Sequence, residues 1–169
     1  QILSIASNLT LASLDRLARV FHITPKREKQ AIQQAIKDLS IKAPNPEFEV
    51  TSMSGGNQQK VVIGKALMTN PKVLLMDEPS RGIDVGAKAD VFRTMRRLAA
   101  EGLSILFSTS DLEEVMALSD RIAVLSNGKL IAIFDRDKAT EADIVAASAK
   151  GHGHTHDNDH NKQTRELAS

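Results

Sequence analysis

The sequence predicts an α/β fold with a mainly parallel sheet and a helical subdomain. Short apolar runs at residues 73–76 and 104–108 alternate with longer segments in which apolar residues recur at helical spacing. Both runs are continuous, as in strands that are buried on both faces of a parallel sheet. Asp77 and Glu78 follow the first run, at the sheet edge where open α/β proteins bind ligands.

This pattern divides the chain into three parts. We expect residues 1–52 to form a helical subdomain and residues 53–149 to form the core that carries the motifs described below. Residues 150–169 are rich in histidine and have too few apolar side chains to bury, so a disordered tail is expected. Its histidines favour weak, adventitious affinity for Zn²⁺, Ni²⁺ or Cu²⁺ over a dedicated metal site.

Helical spacing, capping residues and turn signals define the elements within these parts. In the subdomain, the predicted elements are a helix over 9–21 capped at Asn8 or Thr10, a helix that begins at Thr24-Pro25 and reaches Leu39, and a loop over 42–51. In the core, they are helices over 57–69, 85–99, 110–118 and 140–149, the two strands, and a hairpin of 121–125 with 129–134 around Asn127-Gly128.

Composition excludes several functional classes. With a formal net charge of +1 and no clustered basic residues, the chain offers no electrostatic case for binding nucleic acid. It has no cysteine, and therefore no disulfide or thiolate metal site. No run reaches the ~18 apolar residues of a membrane span. Because the first residue is Gln1 rather than Met, we expect the chain to be part of a longer protein.

A Ser-Gly-Gly turn at residues 54–56 opens the first core helix. The free backbone N–H groups and the positive dipole end of such a helix favour a bound anion, so this turn predicts a phosphate site. Asp77 and Glu78 add carboxylates that suit metal-assisted phosphoryl chemistry, in which one holds Mg²⁺ and the other orients an attacking water. An isolated Asp-Glu pair would more simply be a solvated loop.

The order and spacing of three motifs decide between these interpretations. SGGNQQK, a hydrophobic strand that ends in DEP, and SRGIDVG resemble the signature motif, Walker B strand and D-loop of ATP-binding cassette (ABC) proteins. The resemblance covers roughly residues 2–149, and it implies a partial domain of the P-loop NTPase-like fold of ABC ATPases. It is closest to the second cassette of the double-cassette ATPases that energise bacterial importers of ribose, galactose and arabinose.

The resemblance implies a role for each motif residue. Asp77 would help hold Mg²⁺, Glu78 would orient the hydrolytic water, and the signature would contact the γ-phosphate of ATP bound by a second cassette. The implied nucleotide-binding residues are Ser54, Gly55, Gly56, Asn57, Asp84 and Ser110. Asn57 stands where most cassettes have Gln, and Ser110 stands at the switch position where most have His. Serine cannot act as an imidazole acid or base, so slow hydrolysis or dependence on the partner cassette is expected.

Each assignment also has a structural alternative. Gly55 and Gly56 could simply make a tight turn, Asp84 could cap the following helix, and Glu78 could be solvated. For Ser110 the structural alternative is favoured, because Ser110 and Glu113 have the spacing of a capping box.

No G-x-x-x-x-G-K-[ST] sequence occurs in the chain, so we expect this phosphate-binding loop upstream and expect the chain alone to be inactive. The family implies a peripheral ATPase on the cytoplasmic face of the inner membrane. Its partners would be membrane-spanning permease subunits, a second cassette and, indirectly, a periplasmic sugar-binding protein. The alternatives are a catalytically silent interaction module and a soluble ABC ATPase unrelated to transport.

Overall fold

A computed structural model describes residues 3–14, 18–19, 22–23 and 25–150, and it divides into two compact units, Gln1–Thr109 and Ser110–Ser169. The predicted tail lies outside the described residues from Gly151 onward. The predicted boundary between a subdomain over 1–52 and a core over 53–149 stays a prediction. None of the described helices is both long enough and apolar enough to cross a membrane.

The first unit contains four helices, two short antiparallel strands, a parallel strand pair and a single 3-10 turn among its described residues. They are α1 (Ile5–Thr10), β1 (Ala18–Arg19), β2 (His22–Ile23), α2 (Pro25–Asp38), the 3-10 turn Val50–Ser52, α3 (Gly55–Leu67), β3 (Val73–Asp77), α4 (Val85–Ala100) and β4 (Ser104–Ser108).

The first helix differs from its prediction. Helix α1 begins after an N-cap at Ser4 and ends at Thr10, whereas the sequence predicts a helix over 9–21. Side chains near its end compete for backbone groups, because the Thr10 hydroxyl donates to the Ala6 carbonyl at 3.2 Å and the Ser13 hydroxyl donates to the Thr10 carbonyl at 3.1 Å. Strand β1 occupies part of the predicted helix, β2 follows its predicted end, and positions 15–17 and 20–21 lie outside the described residues. The prediction of α2, with Pro25 at its first position, is confirmed.

Helix α3 packs against α1 and α4. Its buried positions include Val61, Ile63 and Gly64, whereas Val62 is 57% exposed. Gly64 allows close packing, because a Cβ atom there would lie 2.6 Å from Leu9 Cδ2.

Strands β3 and β4 form the predicted parallel pair. They run in register from Val73 opposite Ser104 to Asp77 opposite Ser108. Burial on both faces is wrong for these strands: Leu74 is buried, but the register partners Leu75 and Leu106 are 70% and 63% exposed. Only one face of the pair is covered.

The second unit is a hairpin packed against two helices. Its described elements are α5 (Leu112–Leu118), β5 (Arg121–Ser126), β6 (Lys129–Asp135), a 3-10 turn (Arg136–Lys138) and α6 (Glu141–Lys150). The hairpin is confirmed, and positive φ values at Asn127 (50°) and Gly128 (72°) suit its two-residue turn. Its core is formed by Ile122, Val124, Ala139, Ile144 and Ala147.

Candidate functional site

Two carboxylates lie at the carboxyl end of the parallel strand pair, each next to a hydroxyl from the neighbouring strand. The Ser108 hydroxyl donates a hydrogen bond to Asp77 Oδ1, and the Thr109 hydroxyl donates to Glu78 Oε2 at 3.3 Å. The parallel register sets Ser108 opposite Asp77. The structure therefore confirms the predicted location of the carboxylates and adds two hydroxyls that sequence reasoning missed.

The backbone turns sharply at Glu78. Its φ is +45°, a left-handed conformation that a side chain other than glycine rarely adopts. Its N–H group donates to the Ser108 carbonyl at 2.9 Å, and its carbonyl accepts from Arg81 N at 3.1 Å. The next residue, Pro79, is fully buried. Strained backbone that is held by hydrogen bonds on both sides is typical of functional sites. Here it fixes the position of the Glu78 backbone, from which the carboxylate side chain extends.

The start of α3 is open. Ser54 occupies the N-cap position with extended backbone (φ −61°, ψ 152°), but its side chain accepts no hydrogen bond from the helix backbone. Among the described residues, none accepts a hydrogen bond from the backbone N–H groups of Gly55, Gly56 and Asn57. These groups are the predicted anion site, and they point out of the helix end.

A cleft of about 240 Å³ lies beside this helix end. Its lining residues are Lys42, Ser54, Gly56, Asn57, Lys60, Asp84, Gly86, Ala87 and Asp90. Four of the predicted nucleotide-binding residues thus meet in one place, whereas Asp77 and Glu78 are not among the lining residues. Lys42, Lys60 and Asp90 were not predicted to lie at this site, because no local sequence pattern connects residues so far apart in the chain.

Comparison with known proteins identifies the family. Residues 2–81 match the family model described as ABC transporter. The chain carries part of an ABC transporter domain. It is 44% identical over 149 residues to the xylose import ATP-binding protein XylG of Moorella thermoacetica, covering 88% of this chain and 29% of that protein. It is 45% identical over 149 residues to the ribose import ATP-binding protein RbsA of Chromobacterium violaceum, and that alignment covers 88% of this chain and 30% of RbsA.

A solved structure shows the same fold. The ADP conformation of an ATP-binding cassette of an ABC transporter is 26% identical, with a TM-score of 0.67 over 89% of this chain and 61% of that one. The prediction of an ABC ATPase fold is therefore confirmed. The chain spans about 30% of the length of the curated relatives that it matches.

Lys60 is the buried cation of the ABC signature segment. It is only 5% exposed, and its Nζ donates to the Ser40 carbonyl at 3.3 Å. The same Nζ lies 3.8 Å from Asp90 Oδ2 on α4. A buried charge requires such partners, so Lys60 connects the end of α2 to α4 through the signature helix.

The two signature glycines lie against the D-loop and α4. A Cβ atom on Gly55 would lie 3.0 Å from Ile83 Cγ2, and one on Gly56 would lie 2.4 Å from Ala87 Cβ. Asp84 caps α4, since its carboxylate accepts from Ala87 N at 2.9 Å. Close packing and capping thus give Gly56 and Asp84 structural roles in the same place where they line the cleft.

The predicted cap at Ser110 is wrong. The N-cap of α5 is Asp111, whose Oδ1 accepts from Glu113 N at 2.9 Å and from Glu114 N at 3.3 Å. The aspartate satisfies two first-turn N–H groups and adds a negative charge at the positive helix end, so it is the better cap. Capping of α5 therefore does not account for the serine at position 110.

The oxygen donors at the end of β3 fit Mg²⁺ in part. Carboxylate and hydroxyl oxygens are hard ligands of the kind that Mg²⁺ prefers. Within the described ranges, no group of three or more His, Cys, Asp or Glu side chains could hold a metal by itself. This arrangement suits an ion that keeps water ligands and also binds substrate phosphates.

Proposed function

We propose that the chain is part of the ATP-binding subunit that energises a bacterial sugar importer by hydrolysing ATP. The observation that carries the proposal is the pair of carboxylates at the carboxyl end of β3, each next to a hydroxyl from the neighbouring strand. The similarity to import ATP-binding proteins for xylose and ribose supports it along 88% of the chain. The identity of the sugar is left open.

Within this function, Asp77 holds Mg²⁺, directly or through water, and the Ser108 hydroxyl orients its carboxylate. When bound, Mg²⁺ neutralises phosphate charge. Glu78 orients the attacking water, and the Thr109 hydroxyl and the constrained backbone position its carboxylate. ATP and Mg²⁺ are accordingly the proposed cofactors.

The signature end of α3 serves a second nucleotide. Its open N–H groups and the Ser54 hydroxyl face the γ-phosphate of ATP held by a partner cassette, and Asp84 couples the two sites. The cassette pair docks on membrane-spanning permease subunits at the cytoplasmic face of the inner membrane. A periplasmic sugar-binding protein delivers the substrate, and nucleic acid is not a partner.

The test is Glu78→Gln in the full-length subunit, with Glu141→Gln as the matched control. Glu141 is an exposed carboxylate of the second unit, in the first turn of α6. We expect Glu78→Gln to lower ATP turnover by roughly 100-fold or more with nucleotide binding retained, because the charge that orients water is lost and Asp77 remains. The control should leave turnover unchanged.

An unchanged rate for Glu78→Gln would contradict the assigned role. If the wild-type subunit itself shows no turnover while it still pairs with an intact cassette, a catalytically silent interaction module becomes the better interpretation. If the subunit does hydrolyse ATP, transport of labelled xylose and ribose into vesicles that contain the reconstituted importer would identify the substrate class.

A further inference from the structure

The side chain of Asn57 makes two hydrogen bonds to other parts of the chain. Its Nδ2 donates to Ser54 Oγ at 3.0 Å, and its Oδ1 accepts from the backbone N–H group of Lys42 at 2.9 Å. Asn57 thus joins the N-cap residue of α3 to the loop that follows α2. All three residues line the cleft beside the helix end.

The bond to Ser54 replaces the usual capping bond. An N-cap serine normally accepts from the backbone N–H group of the second or third helical residue, which would be Gly56 or Asn57 here. Instead, Ser54 Oγ accepts from the side chain of the third residue, and it makes no hydrogen bond to the helix backbone. The helix is left without the cap that its own sequence could provide.

We propose that Asn57 is a positioning residue: it holds the Ser54 hydroxyl away from the first turn of α3, and so keeps that hydroxyl and the backbone N–H groups available to an anion. Because Ser54 Oγ accepts from Asn57, its own hydrogen remains directed to a further acceptor, such as a phosphate oxygen. Asn57 therefore acts through Ser54 rather than on the nucleotide.

Close packing makes this arrangement rigid. At Gly56 the backbone of α3 lies directly against Ala87. The first turn of α3 therefore cannot shift toward α4 to bring its N–H groups to a different acceptor. The bond from Lys42 N fixes the Asn57 amide from the other side, with its donor group directed at Ser54. Preorganised donors are what stabilise developing phosphate charge most effectively.

The role in nucleotide chemistry rests on the proposed function, but the conformational part can be tested without it. In Asn57→Ala, the Ser54 hydroxyl is free to cap its own helix, so the amide at position 57 should exchange more slowly with solvent deuterium. The further substitution Ser54→Ala should restore fast exchange. Fast exchange in Asn57→Ala would overturn the inference whatever the protein does.

Kinetics of the full-length subunit test the functional part through a double-mutant cycle. Asn57→Ala should lower kcat/KM for ATP by about tenfold or more, the loss expected for a hydrogen bond to a charged group. If Asn57 acts through Ser54, the double substitution should cost no more than the more harmful single one. Multiplicative losses, or no loss in Asn57→Ala, would contradict this.

Asn57→Asp is the second variant, because it keeps an acceptor for Lys42 N and replaces the donor that faces Ser54 with a negatively charged acceptor. The serine would then donate its hydrogen to the new carboxylate, so turnover should fall, and the fall should be much smaller when Asn57→Asp is added to Ser54→Ala than when it is added to the wild type. Equal losses in both backgrounds would indicate direct repulsion of the nucleotide and would overturn the inference. Glu78→Gln, measured alongside, reports independently on the proposed function.

Discussion

Gly56→Ala provides a quantitative test of how the signature helix is packed. The added Cβ atom would lie 2.4 Å from Ala87 Cβ, with Ala87 Cα at 3.3 Å. Carbon atoms pack best at about 3.5–4.0 Å, so α3 and α4 must separate locally by roughly 1 Å. Overpacking of this kind costs about 1–3 kcal/mol, and the better helix propensity of alanine returns at most about 1 kcal/mol. We expect a net loss of about 1–2 kcal/mol in the free energy of unfolding.

The assay is urea denaturation, with Gly86→Ala as the matched control. Gly86 is also in the first turn of a helix, but the nearest atom to its added Cβ would be Asp84 Oδ1 at 3.4 Å. The control should therefore be neutral or stabilising by up to about 1 kcal/mol.

Ala87→Gly identifies the contact itself. In the Gly56→Ala background it removes the opposing methyl group, so the double variant should be about as stable as Ala87→Gly alone. If Gly56→Ala proves as stable as the control, or if its loss persists with Ala87→Gly, the packing argument is refuted.

Three further predictions follow from the caps and the sequence motifs. Asp111→Ala should lower the free energy of unfolding by about 0.5–2 kcal/mol, whereas Ser110→Ala should lower it by less than about 0.5 kcal/mol. If urea denaturation shows the larger loss for Ser110→Ala, then Ser110 is the cap. The Thr140 hydroxyl and backbone N–H group hold the Asp143 pKa below its usual 3.8. Its contribution to stability should therefore be present above that value and lost as pH falls through the folded pKa, and an NMR titration should show that pKa raised by Thr140→Val. Calorimetry should find no micromolar binding of Mg-ATP to this chain alone, because one helix end contributes about 0.3–2 kcal/mol and micromolar affinity needs about 8 kcal/mol.

The sequence predicts the sheet elements well because their signals are local. The continuous apolar runs give β3 and β4, and Asn127-Gly128 gives the hairpin turn. The exposure of Leu75 and Leu106 could not be predicted, because it depends on what lies over the sheet rather than on the strand itself. The end of α1 depends on side-chain hydrogen bonds that compete with the helix, which apolar spacing does not report.

The candidate site was predictable where residues are neighbours in sequence and missed where they are not. Asp77 and Glu78 could be predicted because they are adjacent and directly follow an apolar run. The hydroxyl of Ser108, by contrast, reaches Asp77 only through the parallel register. The cap of α5 was missed by one residue, since Ser110 and Asp111 are both good N-cap residues and only the geometry of the first turn distinguishes them.

The motif residues lie in two places, the cleft beside α3 and the carboxyl end of β3. The cleft beside α3 gathers Ser54, Asn57 and Asp84, and its lining does not include Asp77 or Glu78. A single bound nucleotide would need the anion site, the metal ligand and the water-orienting carboxylate at the same phosphate. The proposed arrangement of two half-sites in one chain, each completed by a second nucleotide-binding partner, would account for this division. Ser54→Ala and Glu78→Gln placed in opposite cassettes of a pair should then affect the same ATP, whereas both placed in one cassette should affect two different ATP molecules.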